Sequence, residues 1–86
     1  MLDPSGQFDI FPRDVLLHRI MPETNSRRFY RMSISIDLFG KALLTREWGR
    51  IGTKGQSLIE TYDDEGAAIT ALMKRSAIKR RRGYIY

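Results

Sequence analysis

Cysteine is absent from the 86 residues and histidine occurs once, at His18. The first absence removes disulfides and thiolate zinc sites together, and the second leaves no ligand set at metal-binding spacing. No metal or cofactor is therefore expected. Long apolar runs are also missing: no uninterrupted stretch approaches membrane-spanning length. Met1-Leu2-Asp3-Pro4-Ser5-Gly6-Gln7 lacks the basic region followed by an apolar one that marks a secretory leader. These absences predict an intracellular protein, cytoplasmic or nucleoid-associated, with no membrane partner. A chain this short has room for one core and little room for a buried multi-residue active site. Catalytic signatures are wanting as well. No nucleophile and base accompany His18, and Gly49, Gly52 and Gly55 lack the spacing of a dinucleotide fingerprint or a P-loop. Gly52-Thr53-Lys54-Gly55 has the letters of a GxxG loop, but that loop joins two helices and this one lies between two expected strands. The sequence does not read as an enzyme.

What is present is the composition of a folded domain, 42% hydrophobic and 29% charged, with a net charge of +5 and a pI near 10. A field of that sign concentrates phosphate-bearing ligands at the surface, which makes polyanions the expected partners. Residues 1–12 mix turn formers with isolated Phe8, Ile10 and Phe11 and read as a flexible arm; residues 13–86 read as a single domain. Val15 to Met21 is short, apolar and β-branched enough for a strand, ended by the turn formers Pro22 to Ser26. Tyr30, Met32, Ile34, Ile36 and Leu38 then alternate with Arg31, Ser33, Ser35 and Asp37, which predicts a second strand with one core face. A third strand, Ala42 to Ile51, puts Leu44, Arg46, Trp48 and Arg50 on one side. A fourth runs from Gln56 to Tyr62 after a glycine-rich turn. Asp63-Asp64-Glu65 supplies a cap and an acidic first turn to a helix over 64–82, ending at Gly83. Tyr84-Ile85-Tyr86 follows as an extended tail that can pair with a sheet edge. The fold class is α+β: a twisted antiparallel sheet of four to five strands with one long helix on one face. Tyr30, Ile34, Ile36 and Leu72 are expected to be buried between them.

Trp48-Gly49-Arg50-Ile51-Gly52 resembles the signature of the WGR domain. The likeness extends to Arg28-Phe29-Tyr30 upstream, Gly55-Gln56 after the turn, Ala68 and Leu72 in the helix, Lys79, and Gly83-Tyr84. It covers almost everything from Val15 to Tyr86. The resemblance implies a twisted antiparallel sheet with one helix across it. It also implies nucleic-acid binding, because such domains occur in poly(ADP-ribose) polymerases, where they sit at DNA breaks and touch neighbouring domains, and in bacterial proteins of poorly defined function. DNA is favoured over RNA on that ground. This sequence has no room for the polymerase catalytic domain, so ADP-ribosylation is not carried over.

The site residues expected for nucleic acid are Trp48, Arg50, Arg27, Arg28, Lys54, Lys79, Arg80 and Tyr84. An exposed indole at Trp48 stacks on a base or ribose while guanidinium groups grip phosphate; the alternative is that Trp48 is the main core aromatic. Arg50 contacts phosphate or a partner, or else pairs with Glu47 or Glu60. Arg27 and Arg28 approach the backbone of the ligand, or are solvated charges at a strand entrance. Lys54 sits at a hairpin tip. The run Lys79-Arg80-Arg81-Arg82 complements the helix dipole but, with Lys74 and Arg75, exceeds what the dipole needs. Lys79 and Tyr84 also have packing roles open to them. The competing function is a protein-interaction module anchored on Trp48 and Arg50.

Overall fold

The structure, a computed structural model, describes residues 13–86. The arm assigned to residues 1–12, with Phe8, Ile10 and Phe11, lies outside the described residues. The chain forms β1 (Asp14–Met21), a 3-10 turn (Pro22–Thr24), β2 (Ser26–Ile36), β3 (Ala42–Arg50), β4 (Gln56–Tyr62) and α1 (Glu65–Arg81). The strands make one antiparallel meander in the order β1-β2-β3-β4. Local chemistry sets each reversal. Asn25 adopts the left-handed conformation, with φ of 53°, and its N–H donates to Pro22 O at 3.0 Å. Between β2 and β3 the Asp37 carboxylate accepts the N–H groups of Phe39 and Lys41, at 2.8 and 2.9 Å, an arrangement typical of aspartate in turns.

Asp64 caps α1 by accepting the N–H of Ala67 at 2.8 Å. At the other end Tyr84 N–H reaches back to Lys79 O at 3.1 Å and Gly83 takes φ of +97°, so the helix closes on the glycine that its sequence placed there. The tail then turns onto the sheet. Ile85 pairs with His18 on the free edge of β1, with reciprocal bonds of 2.7 and 2.8 Å.

One face of the sheet carries the core. Val15 and Leu17 from β1, Tyr30 and Met32 from β2, and Leu44 from β3 meet Leu72 of the helix and Tyr84 of the tail. The Tyr30 and Tyr84 rings meet edge to face at 6.4 Å. Of the expected core residues, Tyr30 and Leu72 are buried and Ile34 packs half-buried against the cluster. Ile36 corrects the expectation at 51% exposed, and Leu38, which continued the same alternation, is 99% exposed. Ile36 is the last residue of β2, opposite Ala42, and Leu38 lies past the strand in the turn, so the alternation ran two residues further than the strand does. Leu38 and Phe39 instead form a solvent-facing tip on the β2–β3 turn.

Ser76 is the one buried polar residue among those described, and its hydroxyl has no hydrogen-bond partner. Ser76→Ala removes an unpaired buried donor and improves helix propensity, so it should stabilise the domain by about 0.5–1.5 kcal/mol. A fall in melting temperature for this variant would show that the hydroxyl has a partner in solution.

Candidate nucleic-acid interface

The site lies where the C-terminal ends of β1 and β3 meet the N-terminal ends of β2 and β4 and the last turns of α1. Cross-strand register fixes it. Tyr30 stands opposite Trp48, and Trp48 opposite Gln56; one step toward the strand ends, Arg19 faces Arg28 and Arg28 faces Arg50. Three arginines on adjacent strands thus form one row on the helix-covered side of the sheet. Like charges directly opposite each other destabilise a sheet. Among the described residues no ion pair relieves them: the ion pairs are Arg13–Glu65 at 2.8 Å, Arg31–Asp14 at 3.0 Å, Lys41–Asp63 at 2.9 Å, and Glu60 with both Arg46 and Arg75 at 3.1 Å. Arg19, Arg27, Arg28, Arg50, Lys79 and Arg82 join none of these pairs. The row and the neighbouring Lys79 and Arg82 are thus a cluster of cations in no ion pair, whereas Arg46 and Arg75 beside them share Glu60.

Three shallow clefts open side by side here. The first, about 330 Å³, has Trp48, Tyr30 and Arg46 on the sheet side and Ile78, Lys79 and Arg82 on the helix side. Lys79 and Arg82 also wall the second, about 380 Å³, whose other side holds Arg19, Arg28, Thr24 and Ser26. Arg28, Thr24 and Ser26 in turn belong to the third, about 340 Å³, together with Asn25, Arg27 and Arg50. Shared walls make the three a continuous lane lined by guanidiniums and hydroxyls.

Trp48 is half-buried: it packs against the core cluster and also lines the first cleft, which joins its two sequence readings. Arg46 lies over the indole, 5.8 Å from its centre, held by Glu60 and a 3.5 Å contact to the Tyr30 hydroxyl. Glycines make this packing feasible. A Cβ on Gly49 would stand 2.8 Å from Gly55 Cα, and one on Gly55 would collide with Trp48 O, so the backbones of β3 and the following turn touch beside Phe29. Gly55 also holds φ at +70°.

The sequence candidates separate as follows. Arg50 takes neither Glu47 nor Glu60 as a partner; it donates to Asn25 O at 3.1 Å and reaches the third cleft. Arg28 lines two clefts, and Arg27, on the other face of β2, reaches the third from the strand end. Lys54 is exposed on the β3–β4 turn and lines none of the three. Arg80 is turned away, its guanidinium 5.2 Å from the Tyr86 ring. Tyr84 is buried, and Lys79 Nζ lies over the rings of Tyr30 and Tyr84 at 4.6 and 5.2 Å. The sequence points to Arg46 only through the face it shares with Trp48, and to Arg75 and Arg82 only as part of the basic helix end; Arg19 it does not single out. Arg46 was legible by parity, two residues before Trp48 on its strand; Arg19 needed the β1–β2 register.

A helix-backed antiparallel meander with open, shallow clefts and a clustered cationic row defines a small α+β module. The chain belongs to the WGR domain family, whose model matches residues 13–86. It is similar to the uncharacterized protein y4dW of Sinorhizobium fredii, 41% identical over 73 residues that make up 85% of this chain and 36% of that protein. Protein YehF of Escherichia coli is 47% identical over 38 residues, 44% of this chain and 14% of its own length. The chain thus spans well under half the length of either relative. No solved structure gives a significant match. Family membership supports a general role in nucleic-acid or protein interaction.

Proposed function

We propose that the domain binds nucleic acid, DNA in preference to RNA, at strand ends or breaks, through the lane of clefts between Trp48 and Arg50. The observation that carries the reading is the in-register row Arg19–Arg28–Arg50, a like-charge arrangement that costs stability and that an anionic backbone would neutralise. Guanidiniums grip phosphate bidentately, and backbone contacts of this kind position a ligand without reading its sequence. Trp48, beside Tyr30 in the first cleft, offers one stacking surface; a single platform suits a terminal nucleotide better than a tracked single strand, which takes several aromatics in series.

The test is a titration against blunt-ended duplex, circular duplex, single-stranded DNA and RNA at two salt concentrations. Blunt duplex should bind tightest, with affinity falling steeply as salt rises. Trp48→Ala should cost about 1–3 kcal/mol, leave the salt dependence nearly intact and erase the preference for ends. Equal affinity for all four ligands would leave only a generic basic surface. A folded Trp48→Ala domain with unaltered affinity and end preference would instead favour the protein-interaction reading of Trp48 and Arg50.

A further inference from the structure

The four lysines sit in contrasting surroundings. Lys41 is paired with Asp63 at 2.9 Å, which holds its ammonium in the charged form, and Lys54 and Lys74 are exposed. Lys79 alone stands on the shared wall of the first and second clefts, with no carboxylate in ion-pair contact among the described residues. Its Nζ is fixed over the Tyr30 and Tyr84 rings, 4.6 and 5.2 Å from their centres, where no proton acceptor replaces a carboxylate. The charged groups that face it are Arg82, Arg46 and Arg28, all cations. Burial first, and then those three guanidiniums, push its pKa below the ordinary lysine value. The ring faces favour the ammonium, and the surrounding cations oppose it. An amine crowded by cations in a partly desolvated cleft is the arrangement that turns lysine into a nucleophile toward carbonyl groups.

We propose that Lys79 Nζ captures phosphate-bearing aldehydes as an imine within the cleft. Arg28, Arg82 and Arg19 hold the phosphate while the neutral amine adds its lone pair to the aldehyde carbon. The resulting carbinolamine loses its hydroxyl as water and the nitrogen loses its second proton, so amine plus aldehyde gives imine plus water with no oxidant or reductant. Two sources supply this chemistry: the ring-opened sugar at a base-less position in a nucleic acid, and a small phosphorylated aldehyde. Only the first rests on the proposed nucleic-acid binding.

The experiment incubates the full chain at neutral pH with pyridoxal phosphate, with phosphate-free pyridoxal, and with a duplex carrying one base-less residue. Borohydride then fixes any imine, and peptide mass spectrometry locates it. A lysine pKa below the ordinary value raises the free-amine fraction at neutral pH, so labelling should concentrate on Lys79 over Lys41, Lys54 and Lys74. Pyridoxal should label it several-fold less than its phosphate, roughly as charge-assisted contacts to the phosphate would dictate. K79R, which keeps a cation over the two rings, should abolish the adduct while leaving the thermal melt nearly unchanged. Even labelling of all four lysines, or an adduct that survives K79R, overturns the proposal. Selective pyridoxal phosphate labelling in a protein that binds no duplex would leave the imine site standing and sink the nucleic-acid reading. Tight duplex binding with no selective labelling by either aldehyde would do the reverse. Labelling by pyridoxal phosphate alone, in a protein that does bind the base-less duplex, assigns the site to small aldehydes.

Discussion

Replacing Arg28 and Arg50 together by alanine should weaken binding of any duplex by about tenfold or more at low salt, through loss of two charge-assisted contacts. The slope of log K against log salt should fall by about 1.8, two phosphates no longer being neutralised. The same variant should melt at a higher temperature. Arg28 lies directly between Arg19 and Arg50 in the sheet, so its removal relieves repulsion on both sides, worth roughly 0.2–1 kcal/mol per opposed pair. Affinity and stability thus move in opposite directions, the pattern of residues retained for a ligand. The checks are a salt-series titration and a thermal melt. A variant that loses both affinity and stability would mean that the row serves the fold, and one that loses neither would place the ligand elsewhere.

Gly55→Ala should have the largest effect on the fold. Two penalties coincide there: a left-handed backbone with φ of +70°, and a new Cβ driven into Trp48 O and the Phe29 ring. Backbone strain of this kind costs about 1–3 kcal/mol, and the collision adds to it because backbone atoms cannot move aside as a side-chain tip can. Gly52→Ala is the control. Gly52 also has positive φ, at +92°, but nothing lies within 4 Å of its Cβ position, so strain alone applies, roughly 1–2 kcal/mol. Denaturant melts of the two variants measure the difference. Gly55→Ala should also shift Trp48 fluorescence, since the β3 backbone at the indole has to move. Equal losses at the two positions would show that the close approach of Gly55 to the Trp48 carbonyl carries no energy.

Most of the fold was legible because alternation and capping are local. Met32, Leu44 and Leu72 follow from periodicity, and Asp64 and Gly83 mark the helix ends in the sequence as they do in the structure. Ile36 and Leu38 were not legible: alternation assigns a face to a residue but does not say where the strand and its cover end, and Leu38 already lies in the turn. The site was half legible for a related reason. Trp48, Arg50 and Arg28 could be found from motif and parity, whereas Arg19 joins them only through the pairing of β1 with β2, a long-range contact that the hydrophobic pattern does not register. Arg80 differs from its neighbours in a way the run does not register. It belongs to the basic run of the helix end, but its position on the helical turn sends it toward Tyr86 while Lys79 and Arg82 face the clefts.

The bare apolar tip at Leu38 and Phe39 gives the molecule two poles. Eight residues of extended β2 separate Arg28 from Ile36, about 26 Å along the strand. Screening in physiological salt extends only about 8 Å, so the field of the arginine row has decayed before it reaches the tip. The cations nearer that end, Arg13, Arg31 and Lys41, are each tied to a carboxylate and add little field of their own. Apolar surface, unlike a charged row, answers to temperature more than to simple salt, because its burial is driven by water release. Raising ionic strength therefore screens one pole of the domain and leaves the other as it was.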